Sequence, residues 1–193
     1  VDTIGPTLTT VTIESNNATK TQAKEGDIIT MNIIASELID TPTVTYDIGN
    51  ENINPIVTGS GKNYTATHTV VSGQNGIIQN FSLSNFTDLV GNSGHTITSL
   101  TSGDSVTVDT IPPTLNLVSI SSNNSTTTLA KEGDIITLTI NSSETISTPS
   151  ISFDIGSKTV NPTVSGSGNS YTATYTVIDS ENGSVGNFSI SNF

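Results

Sequence analysis

Residues 27–36 read Asp-Ile-Ile-Thr-Met-Asn-Ile-Ile-Ala-Ser, and residues 134–143 read Asp-Ile-Ile-Thr-Leu-Thr-Ile-Asn-Ser-Ser. In the first stretch Ile29, Met31, Ile33 and Ala35 share one side, while Thr30 and Asn32 take the other; in the second, Ile136, Leu138 and Ile140 oppose Thr137 and Thr139. A period of two belongs to a strand with one face in a core. An amphipathic helix would instead space its apolar residues three and four apart. A further alternating stretch, Val44, Tyr46 and Ile48 against Thr43, Thr45 and Asp47, returns as Ile151, Phe153 and Ile155. The inward positions exchange only among β-branched, aliphatic and aromatic types, all of which suit a pleated, half-buried surface.

The two copies lie 107 residues apart (134 − 27), and that spacing holds along the chain. Lys24-Glu25-Gly26-Asp27 matches Lys131-Glu132-Gly133-Asp134, Tyr64 to Thr67 matches Tyr171 to Thr174, and Asn80 to Phe86 matches Asn187 to Phe193. Without a gap, 51 of the 86 overlapping positions are identical, so the chain is a tandem array of one unit. The expected domains are residues 1–107 and 108–193, with a linker around 108–114. Further strands are expected at 8–13, 55–58, 64–71, 77–84 and 105–109, between turn-rich stretches such as Gly-Ser-Gly-Lys-Asn and Gly-Asn-Ser-Gly-His. Seven short alternating strands in about 100 residues predict an all-β fold: two tandem seven-stranded immunoglobulin-like β-sandwiches, here without a disulfide or Trp. The second is expected to lack its last strand in this segment.

Composition narrows the function classes. The chain carries a formal charge of −12 and five basic residues, all Lys, which argues against nucleic acid and anionic membrane surfaces as partners. No Cys means no thiolate metal site, and no apolar run nears the roughly 18 residues of a membrane span. With no signal peptide legible, the sequence reads as a mature or excised segment. Two His and no repeated Ser/His pairing leave nucleophilic catalysis without a candidate constellation, so the chain is read as non-enzymatic. His68 alternates with Tyr175 on an inward strand face, which asks for a ring there; His95 lies in a Gly- and Ser-rich loop. The nine Asn-x-Ser/Thr sites barely exceed what an Asn-, Ser- and Thr-heavy composition yields.

The ordered motifs Val-Asp-Thr-x-x-Pro-Thr, Ala-Lys-Glu-Gly-Asp-x-Ile-Thr, Ser-Glu in the following turn, Tyr-Thr-Ala-Thr-x-Thr-Val, Asp-Leu-Val-Gly-Asn and Ser-Val-Thr-Val-Asp-Thr cover essentially the whole chain. In that order they resemble the bacterial immunoglobulin-like repeats of very large surface adhesins. The resemblance implies an extracellular, cell-surface stalk or extender of many such units in series, stiffened by Ca²⁺ at or near the junctions. Its partners are then neighbouring repeats of the same chain.

Strand direction says where such a cation would sit. In this fold the first strand starts, the second ends and the sixth ends at one pole. That pole gathers Asp2, Glu37 with Asp40 nearby, and Asp88 with Asn92. Left alone these carboxylates repel one another, whereas Ca²⁺ takes about six to eight oxygens of this kind. The second unit repeats Asp109 and Glu144, but its counterpart of Asp88 falls beyond Phe193, so that site is expected to be half built here. An alternative stays open in which Asp2 and Asp109 simply end a strand and Asp-Leu-Val-Gly-Asn is an ordinary turn. Glu25, Asp27, Glu132 and Asp134 are expected at the opposite pole as solvated turn residues.

The function expected from these residues is mechanical: an extender that spans distance and presents something else at its tip. Pro112 and Pro113 fix φ and bias Ile111 to extended geometry, which restricts the linker. Two alternatives remain, a polymerising fibre subunit whose second sandwich is completed by a strand of another copy, and an accessory binding module of a secreted enzyme. An aromatic content of 5% argues against the latter as a stacking platform.

Overall fold

A computed structural model describes residues Val1–Phe193, which divide into two compact units, Val1–Ile111 and Pro112–Phe193. The division falls within the expected linker, and Val108–Ile111 belong to the first unit rather than to the second. No helix is long and apolar enough to cross a membrane.

The first unit holds β1 (Leu8–Ser15), β2 (Gln22–Ala23), β3 (Ile28–Ala35), β4 (Thr43–Ile48), β5 (Glu51–Ile53), β6 (Ile56–Ser60), β7 (Asn63–Thr69), β8 (Gly76–Ser84) and β9 (Thr107–Val108). They form two sheets, in the orders β1-β3-β7-β6 and β2-β9-β8-β4-β5. All pairs are antiparallel except β2 with β9, which is parallel. The seven expected strands are present, together with two short ones, β2 and β5, that alternation did not signal. Two residues are too few for a period, and β5 carries Glu51 and Asn52.

The alternating faces explain the sandwich. Val11, Ile29, Met31, Ile33, Tyr46, Ile48, Ala66, Leu83 and Phe86 point inward and form one continuous core with Val106 and Val108. Ile97 and Leu100, from the long segment between β8 and β9, pack against it. The register of β4 with β8 shifts between Thr45 and Asp47, opposite Asn80 at φ 51. Asp47 pins this bulge by accepting from Asn80 Nδ2 and Asn52 Nδ2, each at 3.0 Å.

The second unit repeats the layout with β10 (Leu115–Ser122), β11 (Ile135–Ser142), β12 (Ser150–Ile155), β13 (Lys158–Val160), β14 (Thr163–Ser167), β15 (Ser170–Thr176) and β16 (Val185–Ser191). Its sheets run β10-β11-β15-β14 and β13-β12-β16; Leu129–Ala130, which match β2, are unpaired, and the positions that match β9 lie beyond Phe193. Positions that the segment after β8 covers in the first unit are open here: Phe188 is 52% exposed against 9% for Phe81, and Ile120 43% against 7% for Ile13. The buried apolar residues accordingly form two smaller groups, around Leu138–Ile140 and around Ile136–Phe153.

Candidate cation site

Three chain segments meet where β1 starts and β3 and β8 end. Asp2 lies ahead of β1, and its Oδ1 accepts from Ile4 N at 3.0 Å, which turns the chain toward the strand. Glu37 follows β3 in a turn held from several sides. Ser36 N donates to Thr7 O and Ile39 N to Gly61 O, while the buried Tyr64 hydroxyl donates to Ile39 O at 2.7 Å. The second unit repeats this tie from Tyr171 to Ile146 O at 2.9 Å, so the Tyr of Tyr-Thr-Ala-Thr braces the Glu-bearing turn in both copies.

Asp88 stands in the loop after β8 and is 6% exposed. Its Oδ1 accepts from Val90 N at 2.9 Å and Asn92 N at 2.8 Å, and its Oδ2 from Asn92 Nδ2 at 2.8 Å. Burial pushes this carboxyl upward, but the hydrogen bonds from Asn92, Val90 and Gly91 outweigh it and hold it below the usual carboxylate range. Asp88 therefore remains charged at neutral pH although it is buried. A bridge between Ile39 and Asp88 joins its loop to the Glu37 turn.

Side-chain oxygens of Asp2, Glu37 and Asp88 all lie within 4.8 Å of one another. The three carboxylates face a groove shared with Leu38, Lys62, Leu89 and Val90. Lys62 lines the same groove but forms no ion pair with them; its Nζ donates to Ser36 O at 2.7 Å, and the chain's ion pairs are Lys131–Asp134 and Lys158–Glu181. Three carboxylates at this separation repel one another, and hard oxygen donors without nitrogen or sulfur suit a hard divalent cation.

The other expected site residues behave differently. Asn92 turns its amide nitrogen to Asp88 and to the Asp2 carbonyl, the latter at 3.2 Å, so in this arrangement it positions the carboxylates rather than offering its own oxygen. Asp40 is spent on Thr87, accepting from its N at 2.6 Å and its hydroxyl at 3.1 Å, and so clamps the Asp88 loop. Asp109 repeats the Asp2 turn by accepting from Ile111 N at 3.0 Å, and belongs to the first unit. Glu144 occupies the turn after β11 in the second unit, and its main-chain oxygen takes the Ser142 hydroxyl.

No family model matches the chain, nor does any curated protein. Among solved structures it is similar to the full ectodomain (Ig1–Ig3) of mouse nectin-like molecule 4, at 14% identity and a TM-score of 0.39. That likeness covers 98% of this chain and 64% of the ectodomain.

The expectation of solvated acids at the opposite pole is corrected for Asp27 and Asp134. Asp27 is half-buried, and its Oδ2 accepts from Asn17 Nδ2 at 2.8 Å and Lys24 N at 2.9 Å. Asp134 is buried and makes the same bonds with Asn124 and Lys131, adding an ion pair to Lys131 at 2.8 Å. Its carboxyl is held down at about 2, first by Asn124 and then by Lys131. These acids fasten a long turn, and the signal for it was the repeated Ser-Asn-Asn at 15–17 and 122–124. His68 is half-buried as expected of a ring position; its Nε2 lies 2.8 Å from Gln74 Oε1, while Tyr175 donates to Glu181 at 2.6 Å.

Proposed function

We propose that the chain is a non-enzymatic structural repeat of an extracellular stalk, of the kind found in large bacterial surface adhesins, whose units bind Ca²⁺ where the chain enters each sandwich. The observation that carries this reading is the convergence of Asp2, Glu37 and Asp88 from three separate segments of a unit that recurs in a gap-free register. A divalent cation there neutralises the mutual repulsion and ties the entering segment, through Asp2, to two loops of the sandwich. An entry segment tied in this way has fewer directions open to it, which is what a stiff array needs. By the repeat register Asp109, at the end of the first unit, corresponds to Asp2, and Glu144, in the second, to Glu37.

Glu37 is the clean place to test it, because Asp88 also holds its own loop together. Calorimetric titration of the metal-free chain with Ca²⁺ is expected to show binding that Glu37→Gln weakens by about tenfold or more, the loss of one charged ligand at roughly 1.4 kcal/mol. No heat at millimolar Ca²⁺, or an isotherm unmoved by Glu37→Gln, contradicts the assignment.

A further inference from the structure

We infer that Thr110, the third residue of Val-Asp-Thr, is the latch of a shear lock that fixes the exit of the first unit against tension. The inference rests on the reading of the chain as a stalk, and it concerns a part of the unit that the cation does not touch.

The chain leaves the unit through β9, which lies parallel to β2, with Thr107 N donating to Thr21 O at 2.8 Å and Asp109 N to Ala23 O at 2.9 Å. Pulling the N-terminal side of β2 and the C-terminal side of β9 slides the two strands along their common axis. Every bond of the pair is then strained together rather than opened one after another. A two-residue pair is too short to hold alone. Immediately beyond it, Thr110 N donates to Asn75 Oδ1 at 2.7 Å, the Thr110 hydroxyl donates to the same oxygen at 3.2 Å, and Gly73 N donates to that hydroxyl at 3.1 Å. Asn75 is itself held by its Nδ2 on Gly73 O at 3.1 Å. The turn is pinned from inside by the buried Gln74, whose Oε1 accepts from Val71 N and faces His68. Tension arriving at Thr110 is thus passed to the turn 71–75 and to β7 and β8 on either side.

The position of the latch follows from the next residues. Ile111 N is satisfied by Asp109, and Pro112 and Pro113 have no N–H to offer, so Thr110 is the last point at which the exiting chain can be fastened to both its backbone and its side chain.

Constant-force spectroscopy on the 193-residue chain in chelator tests the lock; the chain has no Cys, so introduced Cys handles are unique. Pulled by its ends, the wild type is expected to unfold in two steps, the longer-lived being the first unit. Thr110→Val should shorten that lifetime roughly five- to tenfold, the rate effect of losing a net hydrogen bond or two, and Thr110→Ser should retain it. With handles at Asn50→Cys and Ser60→Cys, which load other strands, Thr110→Val should change the lifetime by less than about twofold. An unchanged lifetime under end-to-end load, or equal shortening in both directions, overturns the latch. Neither result bears on whether Ca²⁺ binds, and absent Ca²⁺ binding leaves this measurement intact.

Discussion

Tyr46 and Phe153 occupy the same place in the two units, and each is fully buried. The Tyr46 hydroxyl is the one buried side-chain polar atom without a hydrogen-bond partner, and burial raises its pKa far above the ordinary value. The core there asks for a ring, and the first unit carries an oxygen it does not use. Tyr46→Phe is therefore expected to be neutral or to stabilise the first unit by up to about 1 kcal/mol in denaturant unfolding, since an orphaned buried hydroxyl carries its desolvation penalty. At Asp134 the polar group is fully used. Its depressed folded pKa contributes stability that is present above the unfolded value near 3.9 and is lost as pH falls toward about 2. Asp134→Asn should lower the melting temperature of the second unit at neutral pH and flatten its decline between about pH 5 and pH 2. A decline as steep as the wild type's would place the acid sensitivity elsewhere. Residues of this kind are half legible in sequence. The repeated Ser-Asn-Asn and Asp show that something is kept, but that Asn124 reaches Asp134 across ten positions emerges only from the fold. The pairs His68–Gln74 and Tyr175–Glu181 change together between the copies, and that joint change has meaning only once the two side chains are seen to touch.

At the level of elements, the long strands were readable because one face of each is buried, which imposes a period of two on β1, β3, β4, β7 and β8. What escaped were the elements whose existence depends on a neighbour. β2 is a strand only because β9 lies beside it, and β5 only because the chain reverses at Gly49. Gly49 has φ +60, and a Cβ there would meet the carbonyl oxygen of Asn75 at 2.3 Å. Gly156 repeats both features against Asn182 at 2.4 Å. Gly49→Ala should therefore destabilise the first unit by about 1–3 kcal/mol, through the left-handed backbone and the displaced turn together. Equilibrium unfolding by urea measures this, and a loss within a few tenths of a kcal/mol would mean that the turn between β7 and β8 yields freely.

For the molecule as a whole, the repeat register carried more than any motif did. It identified the unit, and with strand direction it placed Asp2, Glu37 and Asp88 at one pole before any side chain was located. The roles within that cluster were not legible. Asn92 and Asp40 have the composition of ligands, yet the first orients Asp88 and the second clamps Thr87. Sequence spacing cannot tell a ligand from a residue that holds one, because both sit in the same loops for the same geometric reason. The net charge of −12 would favour a cation at the cluster, whose carboxylates pair with none of the chain's five Lys.

The most direct test is differential scanning calorimetry of the metal-free chain and of the chain in Ca²⁺, with Glu37→Gln beside the wild type. At a hundredfold excess over Kd, binding to the folded state adds about 2.7 kcal/mol. For a unit of this size that moves the first-unit transition up by roughly 10–20 °C. The account predicts that rise in the wild type, little of it in Glu37→Gln, and unchanged metal-free transitions or a slightly higher one in the variant, where one repelling charge is gone. A first-unit transition at the same temperature with and without Ca²⁺ contradicts it.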